Sequence, residues 1–81
     1  MDMSNVAVRL QRRFGSGTRP ELRMNLYKRL ENLVTECGSS AYATICEVAQ
    51  DAGSKENPGR YFAKVVMLRL KERGFIALTE F

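Results

Sequence analysis

Nine carboxylates are the main candidates for acid–base chemistry in this chain of 81 residues, because histidine is absent. Histidine is the commonest general base and the commonest metal ligand, so its absence makes most enzymatic mechanisms awkward. None of the carboxylates lies in an apolar, glycine-punctuated segment of the kind that raises a carboxyl pKa or shapes a pocket. The pattern predicts a non-enzymatic protein without catalytic residues, cofactor or small-molecule substrate.

Two cysteines, Cys37 and Cys46, are the remaining groups with reactive chemistry. Their spacing matches no metal-binding motif such as C-x-x-C, and two thiols are too few for a disulfide framework. We therefore predict reduced, half-buried thiols that pack as small apolar groups, and no metal site.

Thirteen lysines and arginines give the chain a net charge of +4, concentrated at its two ends. Residues 1–20 hold four arginines against one aspartate, and residues 61–81 carry four basic residues against two glutamates. Such clustering suits contact with a polyanion. The chain has no run of about 18 apolar residues and no apolar N-terminal signal, which predicts a cytoplasmic protein with no membrane partner.

The elements that would position these charges begin with an ambiguous segment, residues 1–15. Val6, Leu10 and Phe14 recur every four residues, as on a helix, whereas Val6, Val8 and Leu10 alternate, as on a strand. A helix is favoured, and three arginines would then project from its other side: Arg9, Arg12 and Arg13. In the strand alternative, residues 6–10 would pair with residues 76–81, within the chain or across a dimer.

A long helix is predicted from Pro20 to Cys37, because proline suits a first helical turn and Gly38 follows the last apolar residue. Its apolar positions recur at steps of three and four and form one stripe. The stripe consists of Leu22, Leu26, Tyr27, Leu30, Leu33, Val34 and Cys37.

The middle of the chain predicts a break at residues 38–40, a strand of one or two residues at Tyr42–Ala43, and a short helix over Ile45–Ala52. Thr44 and Glu47 have the spacing of a capping box, in which each side chain satisfies the other residue's backbone N–H. Gly53 would supply the left-handed exit residue.

The third predicted helix runs from Pro58 to about Arg73, with Asn57 as its N-cap and Gly74 as its stop. The loosely alternating residues 75–81, which begin and end with β-forming residues, predict a terminal strand.

These residues resemble a known family. The segment Thr44–Ala49 followed by Gly53 resembles the second helix of winged helix-turn-helix domains, and Leu70–Ile76 resembles the end of their recognition helix and its turn into the wing. The resemblance implies a mainly α, three-helix winged-helix-like domain over residues 20–81 with a short C-terminal strand. A basic segment and linker, residues 1–19, would precede it. In such domains a short helix holds the next helix against the DNA major groove.

Helical geometry divides the third helix into two sides. Its predicted core side carries Phe62, Ala63, Val66, Met67 and Leu70, and its predicted outer side carries Arg60, Tyr61, Lys64, Leu68 and Lys71. On the outer side, Arg60, Lys64 and Lys71 would contact phosphates or base edges, with Tyr61 beside them. An arm along the DNA backbone would use four arginines: Arg9, Arg12, Arg13 and Arg19.

Two features depart from simple DNA recognition. Tyr61, Val65 and Leu68 form an apolar strip on the side of the helix that should face solvent. This pattern favours burial of the strip by another element of the chain or by a second subunit. In addition, only one strand's worth of residues follows the third helix, whereas the family normally has a two-stranded wing.

The leading hypothesis is a double-stranded-DNA-binding module, either a transcriptional regulator or an accessory protein in plasmid or phage replication and recombination. It would then be associated with the nucleoid. The alternative is a protein-interaction or dimerisation module on the same fold, without DNA binding, that uses the apolar strip. An RNA-binding or ribosome-associated role is the third hypothesis.

Overall fold

Four α-helices account for most of residues 5–76, the part of the chain that this computed structural model describes. They are α1 (Val6–Phe14), α2 (Pro20–Cys37), α3 (Ser39–Ala52) and α4 (Pro58–Glu72). Between residues 5 and 76 there is no strand. The described chain is therefore a compact, all-α four-helix domain.

The N-terminal segment is a helix, and the strand alternative for residues 6–10 is wrong. Val6 and Leu10 are buried, because α1 turns one side onto α2. Asn5, the N-cap residue, makes no side-chain capping hydrogen bond. Instead the α1 backbone N–H of Ala7 donates to Oε2 of Glu31 on α2, at 2.8 Å. A carboxylate from the neighbouring helix thus caps α1, where negative charge suits the helix dipole.

The predicted bounds of α2 are confirmed, and a single glycine joins this helix to α3. Gly38 has φ 77° and ψ −151°, a conformation that residues with a side chain rarely adopt. Its N–H donates to the Val34 carbonyl at 2.8 Å, and its own carbonyl accepts from the Tyr42 N–H at 3.2 Å. The same residue therefore ends one helix and begins the next. At the two ends of the predicted stripe, Leu22 and Cys37 are exposed.

The prediction for the start of α3 is wrong. The helix begins at Ser39, so Tyr42–Ala43 is not a strand and Thr44 is not a cap. The Thr44 hydroxyl lies inside the helix, donating to the Ser40 carbonyl at 3.1 Å and accepting from Arg73 Nη1 at 3.0 Å. Gly38 already provides the chain reversal, so the helix can start six residues earlier than the local motif indicates. Gly53 is also not left-handed, with φ −61°.

The predicted ends of α4 are confirmed. The Asn57 side chain accepts from the Arg60 N–H at 3.3 Å, and Pro58 occupies the first turn. At the other end, Gly74 has φ 83°. There the Gly74 N–H donates to the Lys71 carbonyl and the Phe75 N–H to the Leu70 carbonyl, which is the Schellman arrangement.

That turn directs the chain back toward the core, which explains why no strand begins at residue 75. Ile76 is buried, and Phe75 packs against the core. The rest of the predicted strand, residues 77–81, lies outside the described residues.

One hydrophobic core joins all four helices. The rings of Phe14 on α1 and Phe62 on α4 stack with centroids 4.6 Å apart. The Tyr27 side chain is fully buried, and its hydroxyl donates to the Gly15 carbonyl at 2.7 Å, which fixes the link between α1 and α2. Other fully or almost fully buried side chains come from α2, α3 and α4: Leu30, Ile45, Val48, Val66 and Leu70.

Candidate nucleic-acid interface

The outer side of α4 carries three of its cationic residues, as the helical periodicity predicts. Phe62, Val66 and Leu70 are fully buried, so the opposite side of the helix must face solvent. Arg60 and Lys64 are exposed there, and Lys71 is half-buried. Asn57 and Pro58 fix where the helix begins and therefore which residues fall on this side.

Lys55, in the loop before α4, adds a cation that the sequence analysis missed. Its Nζ lies 5.0 Å from the centroid of the Tyr61 ring, a cation–π contact. Lys55 precedes the N-cap, so helical periodicity cannot relate it to Tyr61. Only the conformation of the loop brings the two together.

Arg19 lies on the other flank of α4. It is the exposed residue immediately before α2, and with Leu22 and Ala63 it lines a surface hollow of about 220 Å³. Ala63 belongs to α4 and directly precedes Lys64. The shared hollow therefore places one predicted arm residue beside Ala63 of α4.

The three arginines of α1 are placed differently. Arg9 and Arg13 line a groove of about 280 Å³ between α1 and α3. Arg13 Nη2 donates to the Ala49 carbonyl at 3.3 Å, in the last turn of α3, where a cation suits the helix dipole. Arg12 is exposed. The structure thus brings Arg9 and Arg13 to α3 rather than to the outer side of α4.

Tyr42 forms part of the same groove. Arg9 Nη1 donates to the Tyr42 hydroxyl at 3.4 Å. Desolvation raises the pKa of Tyr42, and the contact with Cys46 raises it further, whereas Arg9 acts in the opposite direction. The hydroxyl therefore stays neutral at physiological pH and serves as an acceptor for Arg9.

Two other basic residues of α4, Arg69 and Arg73, face α3. Arg69 Nη1 lies 3.2 Å from Glu47 Oε1, and Arg73 Nη1 lies 2.9 Å from Glu47 Oε2. The hydrogen bond from Arg73 lowers the pKa of Glu47, and the charges of Arg73 and Arg69 act in the same direction. The carboxylate thus offsets positive charge on this edge of α4, which leaves the outer side as its more basic surface.

The predicted apolar strip is divided by the packing. Tyr61 and Val65 are half-buried and pack against the core, whereas Leu68 is 57% exposed. Leu68 therefore remains as the exposed apolar side chain of the strip, on the same side of α4 as Lys64 and Lys71.

Residues 5–76 contain neither a membrane-spanning helix nor a cluster of metal ligands. No helix there is long and apolar enough to cross a bilayer. Within the same range, no three cysteine or carboxylate side chains come together as metal ligands would. Cys37 is exposed, contrary to the predicted half-burial, and Cys46 is half-buried as predicted.

Over residues 5–76 the fold is an all-α four-helix domain, and the outer side of α4 carries a row of cations. Comparisons of this chain with known protein families, with curated proteins and with solved structures find no match.

Proposed function

We propose that this protein binds duplex DNA with the outer side of α4, in transcriptional control or in plasmid or phage replication and recombination. The observation that carries the proposal is the row of Arg60, Lys64 and Lys71 along one side of the helix. Lys55 lies on one flank of this row and Arg19 near the other. Cations on a helix surface can neutralise phosphates on both sides of a groove that the helix enters.

The aromatic side chains favour a duplex over a single strand. Proteins that bind single strands usually stack bases on exposed aromatic rings. Tyr61, the aromatic residue on the basic side, is half-buried, and Lys55 lies over its ring. Tyr27 and Phe62 are fully buried. The described surface therefore provides cations for a backbone more readily than platforms for bases.

In the proposal the pair α3 and α4 takes the role of the helix-turn-helix in the family that the sequence resembles. In the proposal α3 supports α4, and the ion pairs from Glu47 to Arg69 and Arg73 hold the two helices together. This arrangement needs no wing to present α4 to a major groove.

The experiment that tests the proposal is charge reversal with a matched control. Lys64→Glu should weaken binding to a duplex at least about tenfold and reduce the slope of log affinity against log salt by about 1. Lys28→Glu makes the same charge change on the exposed side of α2, away from the buried Tyr27 and Leu30, and should have a much smaller effect. Equal effects of the two substitutions would remove α4 from the interface.

The predicted contribution of α1 is best tested at Arg12. Removing residues 1–19 would also remove Val6 and Leu10 from the core, so a truncation confuses binding with folding. Arg13, which contacts Ala49, is unsuitable for the same reason. We expect Arg12→Glu to weaken duplex binding by less than Lys64→Glu, because Arg12 belongs to a different surface.

A protein-interaction module is the second candidate, favoured by the exposure of Leu68. It predicts a mass that rises with protein concentration in light scattering and that falls to the monomer value in Leu68→Asp. A monomer that binds duplex DNA would reject this candidate. Competition between duplex DNA and RNA in one gel-shift experiment separates the DNA proposal from an RNA-binding role.

A further inference from the structure

Leu68 lies between two lysines on the outer side of α4. Lys64 is one turn before it and Lys71 is one turn after it, so the three side chains form one row. Leu68 is 57% exposed. Single exposed leucines are common and need no explanation by themselves. What distinguishes Leu68 is its place in a row of cations, where apolar surface has no packing role.

An apolar surface for a protein partner would have to be contiguous, because sizeable patches mark such interfaces. Tyr61 and Val65 would extend Leu68 into such a patch, but both pack against the core. Leu68 is therefore the most exposed apolar side chain of this side, with the half-buried Tyr61 and Val65 beside it and a lysine one turn away in each direction. It fits a polyanion that offers a small apolar group between its charged edges.

Duplex DNA has such a group in its major groove. The C5 methyl of thymine lies among the base edges, between the two phosphate backbones, and apolar side chains contact it in sequence-specific complexes. Lys64 and Lys71 are about 10 Å apart along the helix axis and project to nearly the same side of it, so both can follow one phosphate backbone of a groove that the helix enters. The exposed Lys64 can therefore reach toward a backbone while Leu68, farther round the helix, faces the base edges.

We propose that Leu68 determines sequence specificity by contacting the 5-methyl group of a thymine. This inference rests on the proposed function, and it adds a preference for an A·T pair at one position of the bound site. Replacing thymine with uracil removes the methyl group and keeps the hydrogen-bonding groups of the base. The preference is therefore measurable as a difference between two otherwise identical duplexes.

The probe is the duplex that the full chain selects from a random-sequence library of about 20 base pairs. Its affinity is measured with thymine throughout and with uracil in its place. We expect the uracil duplex to bind about three- to fourfold more weakly, the effect of one methyl group left unburied. In Leu68→Ala the two duplexes should bind equally, whereas Leu68→Met, which keeps an apolar side chain of similar size, should retain the preference.

Val8→Ala serves as the control, because Val8 is likewise an exposed apolar side chain, 49% exposed, but lies on α1 rather than on α4. It should leave the thymine preference unchanged. Wild-type protein that binds both duplexes equally would overturn the inference and leave the proposed function standing. Failure to select any duplex from the library at low salt would overturn both. Self-association that Leu68→Ala abolishes would assign Leu68 to a protein interface and also overturn the inference.

Discussion

At the scale of single residues, Gly59 shows how closely α4 approaches the rest of the protein. It is buried in the first turn of α4. A Cβ atom there would lie 2.9 Å from Arg23 Nη1 and 3.0 Å from the Phe14 carbonyl oxygen. The arginine side chain could move aside, but the carbonyl belongs to the backbone at the end of α1. Glycine at this position therefore permits the contact between α1 and α4.

We predict that Gly59→Ala lowers the free energy of unfolding by about 1–3 kcal/mol, the usual effect of overpacking a close contact. The measurement is urea denaturation followed by circular dichroism. At an open helical position the same substitution stabilises by about 0.5–1 kcal/mol. The sign of the change therefore separates the two situations, and a more stable variant would show that this contact is not tight.

Residues of the candidate site were predictable only where one helix positions them. The burial of Phe62, Val66 and Leu70 follows from a period of about 3.6 residues, and it places Arg60 and Lys64 outside. Lys55 reaches Tyr61 through the conformation of a loop, and Arg19 shares a surface hollow with Ala63 of α4. No local pattern contains that information. The packing of Tyr61 and Val65 against the core likewise depends on tertiary structure rather than on a local pattern.

At the scale of elements, the helices with clear end signals were predictable. Pro20 and Gly38 delimit α2, and Asn57, Pro58 and Gly74 delimit α4. The start of α3 was not predictable from Thr44 and Glu47, although their spacing is that of a capping box. Both side chains bond to α4 instead, through contacts distant in sequence.

The ion pairs of Glu47 lead to a prediction about pH. Its pKa is lowered in the folded protein, so its stabilising effect is complete above the ordinary pKa and is lost as the pH falls through the lowered value. We predict that wild-type protein is more stable than Glu47→Gln at pH 7. The difference in melting temperature should shrink below about pH 4.3, the ordinary glutamate pKa, and vanish in stronger acid.

Thermal melting of both proteins across this range provides the measurement. Other carboxylates titrate in both proteins, so the difference isolates Glu47. A difference that stays constant down to strongly acidic pH would show that the substitution acts through packing rather than through charge.

At the scale of the whole molecule, α1 and α4 share one core with the rest of the chain. Phe62→Ala would remove the ring that stacks on Phe14 and leave a cavity among fully buried side chains. We predict a loss of about 3–5 kcal/mol in the free energy of unfolding. Far-UV circular dichroism and tyrosine fluorescence should report one common urea midpoint, lower than that of the wild type.

Leu68→Ala, at an exposed position, should change stability by no more than about 0.5 kcal/mol and serves as the control. Two separate transitions, with α1 lost before the other helices, would contradict a single cooperative unit.

Gly38 is the single residue between α2 and α3, so an insertion at this point would disturb the packing of the two helices. Each residue of a helix turns the chain by about 100°, so one added residue at the joint would rotate α3 about its axis unless the joint rearranged. That rotation would turn Ala41, Ile45 and Val48, all buried, away from the core. The links at residues 15–19 and 53–57 are longer and can absorb insertions. Gly38 therefore fixes the distance and angle between α2 and α3, whereas the longer links allow the chain to vary in length elsewhere.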